Sequence, residues 1–189
     1  MYLFFDTETT GLPKNWKAPV TDLKNWPRMV QIAWVISDNA GNRIETKDFI
    51  IKPEGYTIPY EASRVHRIST EKAIDEGVDL VKVLNNFNEL INEADHIVAH
   101  NIDFDKMILG AELLRKNMTT DFFNKSKLCT MKASTNYCKI QGNYGYKWPK
   151  LSELHTKLFG EDFEEAHDAS ADINATEKCF WVMRKKGLI

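Results

Sequence analysis

Two kinds of patterned segment follow one another along this chain, and their order restricts the fold more than any other feature. Short runs rich in β-branched and aromatic residues, or alternating in polarity, predict strands, whereas apolar residues three and four positions apart predict helices. The predicted strands are Tyr2–Asp6, Met29–Ser37, Arg43–Lys52, His96–His100 and Lys127–Met131. The predicted helices are 79–92, Asp103–Lys116, Leu151–Phe159 and Asp168–Lys185, with another helix start at Ser69–Lys72. This order indicates an α/β fold with a mixed five-stranded sheet flanked by helices.

The remaining features of the chain suit one domain spanning residues 1–189. A turn at Asp38–Asn42 predicts a hairpin between the second and third strands, and two stretches, Pro13–Pro27 and Asn136–Pro149, have no regular pattern. The net charge of -2 excludes a protein that binds nucleic acid through an overall positive charge. Any binding of nucleic acid must depend on local basic groups or on bound cations. Three cysteines without a C-x-x-C pair argue against disulfides and zinc knuckles. No membrane span or signal peptide is predicted, which favours the cytoplasm.

Two acidic residues, Asp6 and Glu8, stand at the end of the first apolar strand. Residues two apart on a strand point to the same face, so we expect these carboxylates to project together. Two unpaired carboxylates cost several kcal/mol to bury, so either arginines or a hard divalent cation such as Mg²⁺ should lie beside them. The alternative is that this D-x-E pair is simply a solvated loop edge.

Two further acidic segments occur where secondary-structure elements meet, the usual location of sites in α/β folds. They read HNIDFD at His100–Asp105 and HDASAD at His167–Asp172. Together they predict a set comprising Asp6, Glu8, an acid near 105, Asp172 and one histidine. Four carboxylates suit two divalent ions arranged for in-line attack at a phosphodiester, and a histidine can take the proton of the attacking water near neutral pH.

The motifs D-T-E-T-T-G-L, H-N-x-x-F-D and H-x-x-x-x-D follow in the order typical of the DEDDh family of 3′–5′ exonucleases, which the chain resembles over nearly its whole length. The likeness is greatest to the DnaQ-like proofreading epsilon subunit of bacterial DNA polymerase III. The resemblance implies a ribonuclease H-like fold and two Mg²⁺ or Mn²⁺ ions, with His167 as the general base. The metal ligands it implies are Asp6, Glu8, Asp105 and Asp172.

The resemblance also implies which residues hold the terminal nucleotide. The family segment E-x-x-x-x-H is matched by Glu61 and His66, which would contact that nucleotide. Thr7 would meet the 3′-hydroxyl through its main chain, and Leu12 would wedge between the last bases. The substrate-binding residues implied by the family motifs are Thr7, Thr10, Leu12, Glu61, His66 and Phe104.

Three departures from the family pattern affect what can be expected. Asp103 is an extra acid two residues before Asp105 and is the alternative ligand if the register of the second motif is different. Pro13–Pro27 resembles an insertion. The chain ends at Ile189, without the C-terminal extension by which the epsilon subunit holds its polymerase, which puts a stable polymerase partner in doubt.

The sequence therefore predicts a metal-dependent 3′–5′ exonuclease that acts on the 3′ end of single-stranded or mismatched DNA and releases nucleoside 5′-monophosphates. Such an activity would serve DNA replication through proofreading, or DNA repair, with a DNA polymerase as a possible partner. The alternatives are a 3′–5′ exoribonuclease that trims RNA and a non-catalytic module that binds a polymerase.

Aromatic residues alternate with lysines in both irregular stretches, a composition typical of single-strand binding grooves. Pro13–Pro27 contains Trp16 and Trp26, and Asn136–Lys150 contains Trp148 and three tyrosines. The alternative is that these aromatics only anchor large loops to the body of the protein. His96 and His100 share a strand face and could suggest zinc, but a core or surface role is favoured because no cysteine lies nearby.

Overall fold

A five-stranded sheet lies at the centre of the computed structural model, which describes residues 1–161, 163 and 168–189. The strands are β1 (Tyr2–Thr9), β2 (Met29–Ser37), β3 (Arg43–Ile50), β4 (His96–Ala99) and β5 (Ser126–Cys129). Their order across the sheet is β3-β2-β1-β4-β5, with β2 antiparallel to both of its neighbours and β4 parallel to both of its own. The predicted mixed sheet is confirmed.

Helices cover both faces of this sheet. Among the described residues they are α1 (Tyr60–His66), α2 (Thr70–Glu76), α3 (Leu80–Glu93), α4 (Ile102–Arg115), α5 (Thr130–Cys138), α6 (Leu151–Phe159) and α7 (Ala169–Lys185). A 3₁₀ turn at Phe122–Asn124 precedes β5, and a short hairpin pairs β6 (Gln141–Gly142) with β7 (Gly145–Tyr146). No helix in these described ranges is long and apolar enough to cross a lipid bilayer.

The alternation of side chains along β1 divides the core into two layers. Leu3 and Phe5 pack on one face with residues of α3 and α4, whereas Tyr2 and Phe4 pack on the other face with Ile173 and other residues of α7. β1 is the middle strand and is buried on both sides, which explains why its sequence is apolar without interruption up to Asp6. The two faces of the strand therefore meet different helices.

Most predicted boundaries agree with the structure within a few residues, and β2 and α6 have the predicted bounds. β1 is longer than predicted and includes both acidic residues at its end. Ser69 caps α2 as predicted, since its side chain accepts a hydrogen bond from the Lys72 N–H. β3 ends at Ile50 rather than Lys52; Ile51 still donates a hydrogen bond to the Val30 carbonyl (2.8 Å) but forms an isolated bridge with Val78.

Three expectations were wrong. Lys127–Met131 is not one strand, because β5 ends at Cys129 and α5 begins at the next residue. Asn136–Pro149 is only partly irregular, since it contains the end of α5 and the β6–β7 hairpin. α1 and α5 were not predicted at all: both are short, and α5 is rich in threonine, serine and asparagine, which are poor helix formers. Burial of Cys138 against α6 and α7 stabilises α5 instead.

Candidate active site

The end of β1 brings Asp6 and Glu8 to the α7 face of the sheet. On α7, Asp172 completes a group in which one carboxylate oxygen of each residue lies within 4.8 Å of the others. The pairing register between β1 and β2 shifts between Glu8 and Thr9, so a bulge follows the acidic pair. Such bulges commonly occur where a strand directs side chains into a site. Asp6 and Glu8 project together, as the alternation of the strand predicted.

Asp172 lies on the first turn of α7, and the start of that helix is fixed by local capping. The Asp168 side chain accepts hydrogen bonds from the N–H groups of Ser170 (2.9 Å) and Ala171 (3.2 Å). Ala169 is fully buried against the sheet, so its small side chain lets the helix approach closely. The N-terminal turn of a helix favours negative charge, which suits a carboxylate in this position.

Asp105 reaches the same region from the other side of β1. It lies on the first turn of α4, which follows β4 through Asn101 in a left-handed conformation (φ 68°). Its carboxylate is only 3% exposed, and Oδ1 accepts hydrogen bonds from the Thr7 hydroxyl (2.8 Å) and the Thr7 N–H (3.2 Å). Because Thr7 points to the face opposite Asp6 and Glu8, it connects α4 to the strand that carries both acids.

Asp103, the alternative ligand in this motif, has a different environment. Its side chain is about half exposed and forms ion pairs with Lys106 (2.7 Å) and with Lys132. These two ammonium groups lower the pKa of its carboxyl group, whereas that of Asp105 is raised by burial. The position and burial of Asp105 favour it as the member of the acidic group.

Burial and mutual repulsion raise the pKa of the buried carboxyl groups. Burial is the largest cause for Asp6, whose pKa lies well above its usual value, with Asp105 and Asp172 adding to it. The pKa of Glu8 is raised to about 8 and that of Asp105 to about 7, in each case mainly by burial and further by Asp172. Within the described part of the chain, no ion pair involves Asp6, Glu8 or Asp105.

These carboxylates fit a divalent metal site. Converging oxygen ligands with excess negative charge are what hard cations such as Mg²⁺ and Mn²⁺ bind. The carboxylates of Asp6, Glu8 and Asp172 are close enough to share an ion, and Asp105 is electrostatically coupled to all three. A cation there would remove the repulsion that raises their pKa values.

The other expected substrate residues, Thr10, Leu12 and Phe104, differ in how firmly they are held. Thr10 is held in place because its N–H donates to the Arg28 carbonyl (2.9 Å) and its hydroxyl accepts from the Arg28 N–H (3.0 Å). Leu12 is 73% exposed and free to contact a ligand. Phe104 is half-buried and lies against Trp16, with ring centroids 5.8 Å apart.

The two residues expected from α1 differ in their placement. His66 is buried beside the end of β1, its Nδ1 accepts a hydrogen bond from the Ile68 N–H (3.2 Å), and burial lowers its pKa. The nearby Thr9 backbone partly opposes that shift. Glu61 is exposed and pairs only loosely with Arg64 at 3.9 Å. The structure thus brings His66 to the site and leaves Glu61 at its surface. His167, the expected general base, lies outside the described residues.

Sequence reasoning missed Gln31 and Asp48, which hold the start of α7. Gln31 lies opposite Glu8 in the β1–β2 pairing, and its amide donates to both Asp48 oxygens at 2.9 and 3.0 Å. Its own oxygen accepts the Ala169 N–H at 3.4 Å. A single glutamine within an apolar strand carries no pattern by itself, so only the tertiary contacts identify it.

A mixed β-sheet that gathers buried carboxylates at the end of its middle strand is typical of nucleases with the ribonuclease H-like fold. The family model described as Exonuclease matches residues 3–180, so the chain belongs to this exonuclease family. The predicted family and fold are confirmed. A particular likeness to the epsilon subunit is not shown by these comparisons.

Solved structures of exonuclease I share the fold. E. coli exonuclease I in complex with a dA16 oligonucleotide is 22% identical and has a TM-score of 0.76, with 99% of this chain and 42% of that chain covered. The zinc-bound E. coli enzyme with single-stranded DNA is 21% identical (TM-score 0.76, 98% and 40% covered). Another exonuclease I structure, said to suggest how processivity is achieved, is 21% identical (TM-score 0.78, 99% and 42% covered).

The chain therefore spans about two fifths of the length of these exonuclease I structures. Among curated protein sequences, none matches the chain significantly.

Proposed function

We propose that this protein is a metal-dependent 3′–5′ exonuclease of the DEDDh type that releases nucleoside 5′-monophosphates from single-stranded or mismatched DNA. The observation that carries the proposal is the convergence of Asp6, Glu8 and Asp172, with oxygens within 4.8 Å of one another, beside the buried Asp105. The proposal treats residues 1–189 as a single exonuclease domain.

The four carboxylates would hold two divalent ions, Mg²⁺ or Mn²⁺. When bound, two such ions generate a hydroxide nucleophile from water at neutral pH and neutralise charge on the leaving oxygen. Asp6 and Glu8 approach from the strand and Asp172 from α7, while the Thr7 hydroxyl orients Asp105 from behind. This arrangement fixes the ligands on rigid elements, so little reorganisation is needed when the scissile phosphate arrives.

The other proposed residues bind the 3′ end and move a proton. The Thr7 main chain would meet the 3′-hydroxyl, while Thr10 and Leu12 would position the last bases with Phe104. Glu61 and His66 would contact the terminal nucleotide. His167, which precedes the capping residue Asp168 in the sequence, would accept the proton of the attacking water, a role that suits an imidazole near neutral pH.

DNA is the favoured substrate because the exonuclease I structures of the same fold were solved with dA16 and dT13 oligonucleotides. A preference for mismatched ends would link the activity to proofreading or repair, where a polymerase would be the partner. RNA trimming is the alternative, and the sugar preference decides between them.

A degradation assay with 5′-labelled strands tests the proposal. Single-stranded DNA, RNA, and duplexes with paired or mismatched 3′ ends would be incubated with Mg²⁺, Mn²⁺ or chelator. We expect a metal-dependent ladder that shortens from the 3′ end, abolished in Asp6→Ala and slowed by roughly 10²–10⁴ in His167→Ala. Immediate release of the labelled nucleotide would indicate the opposite polarity, and an intact strand under all conditions would favour the polymerase-binding module.

A further inference from the structure

A cavity of about 640 Å³ lies against α4 and is not accounted for by the proposed chemistry. Its lining includes Trp16, Trp26, Lys106, Met107, Met131 and Trp148. Lys106 directly follows Asp105 on α4, and Asp103 also lines the cavity. The cavity therefore adjoins the segment of α4 that carries Asp105.

Trp16 forms one wall and is held in place although most of its side chain is exposed. It is 57% exposed, and its ring lies against that of Phe104 at an interplanar angle of 45°. The segment around it is fixed by Asn25, which accepts the Asn15 N–H (2.7 Å) and donates to the Asn15 carbonyl (3.0 Å). Arg115 adds hydrogen bonds of 2.7 Å to the carbonyls of Leu23 and Trp26. Thus Pro13–Pro27 presents Trp16 from an ordered scaffold.

Trp148 forms another part of the wall and is 62% exposed. The next residue is anchored, because the Pro149 carbonyl lies 3.1 Å from Nε2 of the half-buried His100. The other ring nitrogen of His100 lies 2.9 Å from the Thr130 hydroxyl at the start of α5. A proline carbonyl can only accept, so Nε2 donates and Nδ1 accepts from Thr130. His100 thus has a structural role that fixes the segment carrying Trp148.

Aromatic residues in long irregular segments often serve to anchor the segment to the core. In this protein Trp26 and Met131 have that role. Trp26 is 3% exposed and donates from Nε1 to the Pro19 carbonyl at 3.0 Å, and Met131 is also buried. Trp16 and Trp148 instead leave most of their surface in solvent. Holding large apolar rings exposed on ordered backbone has a cost in hydration that a ligand in the cavity would offset.

The cavity also has cationic groups at its rim. Lys106 and Lys132 both pair with Asp103, so two ammonium groups share one carboxylate and a net positive charge remains. The Lys132 ammonium is 6.0 Å from the centre of the Trp148 ring. An aromatic face beside an ammonium group complements a nucleotide, whose base can stack while its phosphate meets the charge.

We propose that Trp16 and Trp148 form a stacking subsite for a base of single-stranded nucleic acid upstream of the 3′-terminal nucleotide, with Lys106 and Lys132 contacting its backbone. The inference rests on the proposed function, because that function places the 3′ end at the acidic group. It assigns the cavity to the substrate strand, so the aromatics would increase affinity without taking part in bond cleavage.

Two measurements on the same variants test this subsite. The first is binding of an oligo(dT) of about 12 nucleotides, monitored by the fluorescence anisotropy of a dye on its 5′ end, with Ca²⁺ replacing Mg²⁺ to slow hydrolysis. The second is hydrolysis of the p-nitrophenyl ester of thymidine 5′-monophosphate, which is too short to reach the cavity. The variants are Trp16→Ala, Trp148→Ala and Trp148→Tyr, with Tyr144→Ala as the matched control because Tyr144 is fully exposed and does not line the cavity.

We expect each alanine variant to bind oligo(dT) about 5- to 100-fold more weakly than the wild type, because stacking on an aromatic ring is lost. Ester hydrolysis should be unchanged, and Trp148→Tyr should retain most of the affinity. Wild-type affinity in both alanine variants would overturn the proposal, as would an equal loss in Tyr144→Ala. A parallel loss of ester hydrolysis would show that the tryptophans only support the fold.

The same experiments separate this subsite from the proposed function. If the wild type binds oligo(dT) through the tryptophans but hydrolyses neither substrate with Mg²⁺ or Mn²⁺, the exonuclease proposal fails and the subsite stands. If it degrades DNA from the 3′ end with no contribution from either tryptophan, the subsite fails alone.

Discussion

Replacement of Asp172 by asparagine should stabilise the metal-free protein and weaken its response to metal. Asp172 contributes to the raised pKa of Asp6, Glu8 and Asp105, so its charge acts on the whole acidic group. One carboxylate oxygen of each of Asp6, Glu8 and Asp172 lies within 4.8 Å of the others. Two unit charges at that distance repel by roughly 3 kcal/mol at an effective dielectric constant of about 20. Partial protonation relieves some of this repulsion, so we expect a gain of roughly 1–3 kcal/mol in the free energy of unfolding at about pH 8.

The sign of the pH dependence follows from the direction of the shifts. Glu8 has a pKa of about 8 in the folded protein against an ordinary value of 4.5, and Asp105 has about 7 against 3.8. At a pH between the ordinary pKa and the raised pKa of each group, the folded protein holds protons that the unfolded chain has released. The free energy of unfolding therefore falls as the pH rises. At about pH 4, where the unfolded chain also holds a large share of these protons, the difference in stability between the wild type and Asp172→Asn should be much smaller than at about pH 8.

Urea denaturation in chelator, at several values between about pH 4 and pH 8, measures this difference. Asp75→Asn, which removes an exposed carboxylate on α2, is the control and should change stability by no more than about 0.5 kcal/mol. With Mn²⁺ at about 100 times its dissociation constant, the wild type should gain about 2.7 kcal/mol and Asp172→Asn much less. A variant that is no more stable than the wild type at high pH, with an unchanged pH slope, would refute the argument from carboxylate repulsion.

Two further substitutions test other parts of the site. Asp105→Asn should reduce exonuclease activity by several orders of magnitude. Asp103→Asn should retain cleavage of a mononucleotide ester, because Asp103 pairs with surface lysines. If kcat falls more in Asp103→Asn than in Asp105→Asn, Asp103 is the metal ligand instead. Gln31→Leu removes the amide that donates to Asp48 and accepts from Ala169, so it should cost about 1–3 kcal/mol in urea denaturation and raise the Mn²⁺ concentration required for half-maximal activity. Unchanged metal dependence would show that Gln31 does not position α7.

Several parts of the site followed directly from local pattern. The period of two along a strand placed Asp6 and Glu8 on one face. The order of the strands predicted the mixed sheet, because antiparallel neighbours require only a hairpin whereas parallel neighbours require a crossover. The choice between Asp103 and Asp105 rested on the family motif, and their burial agrees with it.

Other parts depended on contacts between segments far apart in the sequence. Gln31 meets Ala169 across 138 residues, and the Trp148 segment is held by His100, which follows β4. α5 has weak intrinsic helix propensity and exists because its apolar residues pack against α6 and α7. Patterns within a short window carry no information about such partners.

The strand that carries the acids, the face on which they project and the family of the chain could all be predicted from the amino-acid sequence, because they depend on residue spacing and on motifs only a few residues long. The strength of the repulsion between the carboxylates, and the cavity that Trp16 and Trp148 line together, are visible only in the folded structure. Burial and charge separation are properties of packed elements, and packing is fixed only when residues distant in the chain meet.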